Sequence, residues 1–278
     1  MSGRFVEVFS NCYGEFGVQA AIAHVGKVGV RHLEVGLQEH TGYLVVPAEA
    51  TITLGSGEER VRRALADLAA NGLSVTTCYG HADVSTAEGR QQFNALVDLA
   101  AALGARWFTC DMGHPEDKRL LYDGMAKVAD YAQGKGLLLC LETHPPLATN
   151  ASVALDTLRS VGHPNIRINW DTGNIYYYNE GIDGEAELEK AAPYVGHVHL
   201  KDCRKGAGEW FFPALGDGIV DLGRVRTILA QAGFFGPYSV EIEGIAGEGP
   251  LTLEQRQANV RRSVQHLRDL GYEDLDAD

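Results

Sequence analysis

Val195-Gly196-His197-Val198-His199-Leu200-Lys201-Asp202 alternates by residue type. Read as a strand, it sends successive side chains to opposite faces. His197, His199 and Lys201 then share one face, and Val198 and Leu200 the other. Three more segments follow the same rule. Leu139-Cys140-Leu141-Glu142-Thr143-His144 sets Glu142 and His144 opposite Leu139 and Leu141. Ile168-Asn169-Trp170-Asp171 sets Asn169 and Asp171 opposite Ile168 and Trp170. Ser239-Val240-Glu241-Ile242-Glu243 sets Glu241 and Glu243 opposite Val240 and Ile242. Two Glu, an Asp and a His suit a divalent cation, provided the fold brings the four strand ends together.

Outward from these strands, a unit of helix, Gly, short apolar strand and polar loop recurs. Its junctions include Gly29-Val30-Arg31-His32-Leu33-Glu34-Val35, Gly104-Ala105-Arg106-Trp107-Phe108 and Gly136-Leu137-Leu138-Leu139. A Gly just past a helix supplies the left-handed stop. Eight strands are predicted, near 5–10, 32–37, 74–79, 107–111, 137–142, 166–171, 195–200 and 238–242. The clearest helix is 86–103, with Phe93, Leu96, Val97, Ala100 and Leu103 on one face and Ser85 with Glu88 as a capping box. Thr252 and Gln255 stand in the same relation before a helix over about 252–270.

Strands alternating with helices imply a parallel sheet. Eight such units predict a closed (β/α)8 TIM barrel, an α/β fold, as a single domain over 1–278 with a frayed acidic tail at 273–278. The alternative is an open doubly wound sheet, but no Gly-rich phosphate loop follows the first strand. The connections after strands 2 and 7, roughly 38–57 and 202–220, are the long ones. Loops of that kind crown the functional face of a barrel, where polar residues at strand C-termini read as catalytic. Glu142, Asp171, His199 and Glu241 all stand there.

With 278 residues, 45% of them hydrophobic, the chain can bury an ample core. No apolar run is long enough to span a bilayer, and Met1-Ser2-Gly3-Arg4 has no signal-peptide layout, so the expected compartment is the cytoplasm, with no membrane partner. The five Cys form no CxxC pair, so neither a disulfide framework nor a thiolate zinc site is indicated. Cys78, Cys110 and Cys140 sit in apolar runs and read as core. A net charge of −13, with no Lys/Arg cluster, argues against nucleic acid. A homo-oligomer is left open.

With these strand ends assembled, the chain resembles the xylose-isomerase-like barrel family of sugar isomerases and epimerases, which also includes inosose dehydratases and the endonuclease IV group. The segments that carry the resemblance are Leu141-Glu142-Thr143-His144, Trp170-Asp171-Thr172-Gly173-Asn174, His197-Val198-His199-Leu200-Lys201-Asp202, Leu215-Gly216-Asp217-Gly218 and Val240-Glu241-Ile242-Glu243-Gly244. It implies that Glu142, Asp171, His199 and Glu241 hold one divalent cation: Mn²⁺ by preference, with Co²⁺, Mg²⁺ or Zn²⁺ as alternatives. It selects His199 over His197, because the family's ligand opens His-Leu-Lys-Asp, and Glu241 over Glu243, which stays the fallback. Endonuclease IV members carry His three residues after the strand-6 Asp; Asn174 stands there in this chain.

The implied activity is isomerisation or epimerisation of a ketose or keto-polyol through an enediolate, with Glu142 and Glu241 moving the α-proton. The alternatives are an inosose-type dehydratase using the same site, an endonuclease-like phosphodiesterase and a non-catalytic sugar-binding barrel. His81, His144, Asn174, Lys201 and Arg204 are candidate contacts for a small sugar or polyol, with His114 a weaker one. Lys201 has a competing reading as a partner of Glu243. Glu34 and Asp111 are candidates for supporting the ligands, and His197 for packing beneath them. Trp210, with Arg204, could close over the ligand, and Tyr176-Tyr177-Tyr178 reads as packing.

Overall fold

The computed structural model describes residues 4–38, 40, 41, 44–113, 117–204 and 206–272. Among them, eight parallel strands close into a barrel: β1 (Phe5–Phe9), β2 (His32–Gly36), β3 (Ser74–His81), β4 (Trp107–Asp111), β5 (Leu138–Glu142), β6 (Ile166–Asp171), β7 (Val195–Leu200) and β8 (Pro237–Val240). Each strand lies beside its neighbours in sequence. The ring closes where β8 pairs with β1, from Phe5↔Pro237 to Val8↔Val240. Closure excludes the open sheet.

The connecting helices are α1 (Gly17–His24), α2 (Gly57–Ala70), α3 (Ala87–Leu103), α4 (Lys118–Gly134), α5 (Ala151–Val161), α6 (Gly184–Ala191) and α7 (Leu222–Gln231), with α8 (Leu253–Asp269) after β8. The apolar stripe of α3 is buried as its period requires, and Phe93 meets Phe108 of β4 edge-on at 5.3 Å. The cap of α3 differs from expectation. Thr86, in extended backbone, accepts from the Gly89 N–H, while Ser85 bonds Asp83 Oδ1. An N-cap needs non-helical φ/ψ, and Thr86 is the residue that has them. The Thr252–Gln255 capping box of α8 forms as predicted. All five Cys are free and buried.

Outward-facing strand residues such as Val6, Val8, Leu33, Val35, Val198 and Val240 form the layer between sheet and helices. The barrel interior is polar. Glu7, Glu34, Thr109, Asn169, His197, His199 and Ser239 are fully buried in it. Buried polar groups are costly unless bonded. Here Thr76 donates to Glu7, and Thr109 donates to Glu34. Two register shifts aim these groups. One lies between Leu33↔Val75 and Glu34↔Thr77, where Thr76 is the extra residue. The other, between Ile168 and Asn169, sets Asn169 beside His197 and Asp171 beside His199.

The long loops carry small two-stranded sheets. His40–Thr41 pairs with Leu44–Val45 after β2, and Phe211–Phe212 pairs with Gly244–Ile245, tying the loop after β7 to the one after β8. Asp202 organises the former of these two. Its carboxylate accepts from the N–H groups of Cys203, Gly216, Gly218 and Val220 at 2.9–3.1 Å. A Cβ on Gly218 would stand 2.1 Å from Asp202 Oδ1, so that glycine is required for the close approach. The predicted tail at 273–278 and His114 lie outside the described residues.

Candidate metal centre

Glu142 closes β5, Asp171 closes β6, His199 sits near the end of β7, and Glu241 follows β8 by one residue. Parallel register brings them together: His199 pairs with Asp171 on one side and Ser239 on the other, and the Glu241 N–H bonds Leu200 O at 3.0 Å. One donor atom from each of the four lies within 4.8 Å of all the others. His199 Nδ1 is 3.1 Å from Glu241 Oε2, 3.3 Å from Glu142 Oε1 and 4.0 Å from Asp171 Oδ2. All four side chains are buried.

Three of the four, Asp171, Glu241 and His199, are oriented by their surroundings. Asp171 Oδ1 accepts from the N–H groups of Gly173 and Asn174, both at 2.8 Å, which turns Oδ2 to the cluster. Asn11 Nδ2 donates to Glu241 Oε1 at 2.7 Å, which leaves Oε2 facing inward. His199 Nε2 bonds Glu34 Oε2 at 3.0 Å, so Nδ1 is the nitrogen presented to the carboxylates. A ligating imidazole is commonly fixed in this way by a carboxylate on its other nitrogen. The Phe9 ring stacks on His199 at 5.4 Å.

Asp171 Oδ2 and Glu241 Oε2 are buried and make no hydrogen bond. Lys201 Nζ lies 2.9 Å from each, an ion-pair contact without hydrogen-bond geometry. Two buried carboxylate oxygens with no hydrogen-bond donor beyond the Lys201 ion pair, converging with a Glu and an imidazole nitrogen, fit a divalent cation by donor chemistry. A second trio, Glu34, His197 and His199, is equally compact, but its members already bond one another or close neighbours. His197 runs beneath the centre, 2.8 Å from both Glu7 Oε1 and Asn169 Oδ1, and Asn169 Nδ2 reaches His199 Nδ1 at 3.1 Å.

The charges perturb one another strongly. Burial pushes the Asp171 carboxyl up to about 6, with Glu241 and Glu142 adding to it and Lys201 and His199 opposing. For Glu241, burial is outweighed by Lys201 and His199, which hold it below the ordinary range. Burial raises Glu243 to about 7, against the pull of Lys201. Burial disfavours the His199 imidazolium, but Glu34 and Glu241 outweigh it and raise the ring well above its usual value. A proton on Asp171 or His199 competes with a cation for the same lone pair. Mn²⁺ affinity is therefore expected to weaken as pH falls, first across the raised His199 range and again through about 6 at Asp171. Calorimetric titrations at about pH 5 and about pH 8 check this, and equal affinity at both would contradict it.

The other sequence candidates divide. Lys201 is claimed by Asp171, Glu241 and, at 2.8 Å, Glu243, so it stands as a buried counter-charge and Glu243 as its partner. Asn174 Oδ1 is 3.4 Å from Lys201 Nζ. His144, just past β5, lies 3.5 Å from Asp111 and edge-on to Tyr178 at 4.9 Å. His81 ends β3 and is exposed at the rim. Arg204 is turned onto its own loop, 3.7 Å above the Phe211 ring and 3.5 Å from Glu209. Trp210 packs with Tyr177 and Phe212. Glu34 bonds the outer nitrogen of His199, Nε2, at 3.0 Å. Glu7 and Asn11 escaped the sequence reading. Glu7 could have been found, since Phe5-Val6-Glu7-Val8-Phe9 alternates like the other strands; Asn11, past a strand end, carries no such pattern.

The chain matches the family model described as Xylose isomerase-like TIM barrel over residues 24–270. It is 32% identical over 145 residues to an inosose dehydratase of Serratia proteamaculans, covering 46% of this chain and 48% of that one. It is 28% identical over 176 residues to an L-ribulose-5-phosphate 3-epimerase of Escherichia coli, covering 60% of this chain and 61% of that one. The chain thus spans about half to three-fifths of the length of these curated relatives, which are sugar-modifying enzymes. Among solved structures, a xylose isomerase-like TIM barrel protein of Mycobacterium smegmatis in complex with magnesium superposes with a TM-score of 0.71 at 18% identity, covering 95% of this chain and 97% of that one. The barrel, the order of its strands and the match over most of its length place this chain in the xylose isomerase-like TIM barrel family.

Proposed function

We propose that the chain is a divalent-metal-dependent isomerase or epimerase of a ketose or keto-polyol, working through an enediolate. The observation that carries this reading is the pair of buried carboxylates, Glu142 at 3.3 Å and Glu241 at 3.1 Å, flanking one imidazole nitrogen beside Asp171. When bound, a cation there would supply Lewis-acid stabilisation of the negative charge that develops on the substrate oxygens. The protein supplies the rest. Glu142 and Glu241 reach the cluster from β5 and β8, with β6 and β7 between them, so each can face a substrate carbon from its own side. One takes the α-proton and the other returns a proton to the opposite face. Asp171 and His199 complete the ligand set. His81, His144 and Asn174, at the ends of β3, β5 and β6, are the proposed hydroxyl contacts, and Arg204 a contact from the loop after β7.

A second reading is favoured by the similarity to inosose dehydratases. If the carbon beyond the enediolate carries a hydroxyl able to leave, the same proton removal ends in loss of water. A panel of ketoses and inososes incubated with Mn²⁺ in D₂O, then stripped of metal and followed by NMR and mass spectrometry, separates the two, because only dehydration removes one water from the product. Dialysis against EDTA is expected to abolish turnover of whichever substrate responds, and Mn²⁺ or Co²⁺ to restore it. Full activity in a sample verified to be metal-free would remove the metal from the account.

A further inference from the structure

We propose that the Lys201 ammonium keeps this centre to a single divalent cation by standing where a second one would bind. The inference rests on the metal reading of the neighbouring quartet. Lys201 Nζ lies 2.9 Å from Asp171 Oδ2, 2.9 Å from Glu241 Oε2, 2.8 Å from Glu243 Oε2 and 3.4 Å from Asn174 Oδ1. Three carboxylates and an amide oxygen form a hard, oxygen-only donor set of the kind that Mg²⁺ or Mn²⁺ takes. Two of those carboxylates, Asp171 and Glu241, also belong to the quartet. Bridging carboxylates shared in this way are how two-metal sites hold their ions about 3.5–4 Å apart. Glu243 is the surplus: it is outside the quartet, and its side chain is only 9% exposed. A buried carboxylate there needs a positive partner, and Lys201 is that partner.

The ammonium is held in place by more than charge. Gly173 leaves room for the lysine stem, since a Cβ on it would come within 2.8 Å of Lys201 Cγ. The Phe212 ring lies 4.8 Å from Nζ. A Lys at this position therefore supplies one positive charge at a fixed point, where an exchangeable ion would supply two.

The test counts Mn²⁺ in the full chain by titration calorimetry and by elemental analysis after desalting, with electron paramagnetic resonance as a spectroscopic check. The wild type is expected to bind one ion with an uncoupled signal. Lys201→Ala is expected to bind two, with the signal of an exchange-coupled pair. Adding Glu243→Ala to Lys201→Ala removes both the oxygen donor and its charge and is expected to return the count to one. A wild type that takes no Mn²⁺ would defeat the metal reading itself. A wild type that takes two, or a folded Lys201→Ala chain that still takes one, would overturn the inference while leaving that reading intact. If Lys201→Ala folds only with Mn²⁺ present and then carries two ions, the inference stands. Failure to fold even in excess Mn²⁺ would also overturn it, because a cage open to a second cation would be rescued by one.

Discussion

Glu142→Gln and Glu241→Gln are each expected to leave the centre able to hold Mn²⁺ while kcat falls by roughly 10²–10⁴-fold. Gln preserves the shape and one neutral oxygen donor but loses the charge and the basicity. Metal affinity should weaken in each variant, yet saturation should still be reachable. The double variant should cost little beyond the worse single one, as for residues that act as a unit. Epimerisation adds an asymmetry. With one base gone, the survivor can still exchange the proton of the epimer whose C–H faces it. Deuterium should then wash into one epimer without net conversion. Near wild-type turnover in either metal-saturated variant would leave that Glu as a ligand only.

His199→Ala is expected to lose Mn²⁺ binding by more than ~100-fold, whereas His197→Ala should lose only about 10–100-fold, the range for groups that orient a ligand. The two residues share one strand and one face but differ in what they touch. His199 Nδ1 meets the carboxylates, while His197 is fully enclosed by Glu7 and Asn169 and lies 3.7 Å from Glu34. His197→Ala opens a cavity beside two buried carboxylates, so its main effect should be a lowered melting temperature. Calorimetry with Mn²⁺ and thermal melts of both variants check this. Retention of metal by His199→Ala with its loss in His197→Ala would move the ligand assignment by one strand repeat.

Alternation along β5, β6 and β7 made the barrel and the inward quartet legible, because a two-residue period and a strand C-terminus jointly say where a side chain points. The helical face of α3 was legible for the same reason, through its own period. Sequence pattern gave no access to pairwise partners. Lys201 reads from sequence alone as either a substrate contact or a partner of Glu243, and only the register that sets β6, β7 and the residues after β8 side by side shows three carboxylates around it. Arg204 likewise has a long side chain on a long loop, and its placement over Phe211 depends on a two-stranded sheet formed with residues 244 and 245. The Thr86 cap turned on backbone dihedrals that Ser85 and Thr86 could both have adopted in principle. Glu7 and Glu34 show how a polar barrel interior is stabilised: each carboxylate is bonded to a threonine and a histidine.

A cation held by Glu142, Asp171, His199 and Glu241 is expected to enable proton removal from the carbon next to a substrate carbonyl. The direct measurement is solvent exchange at that carbon, by NMR in D₂O, for a responsive ketose or inosose. One sample is loaded with Mn²⁺ for catalysis and then stripped for the spectrum; the other is verified metal-free throughout. Deuterium is expected at the α-carbon in the first and none above the uncatalysed rate in the second. Equal exchange in both samples would contradict it.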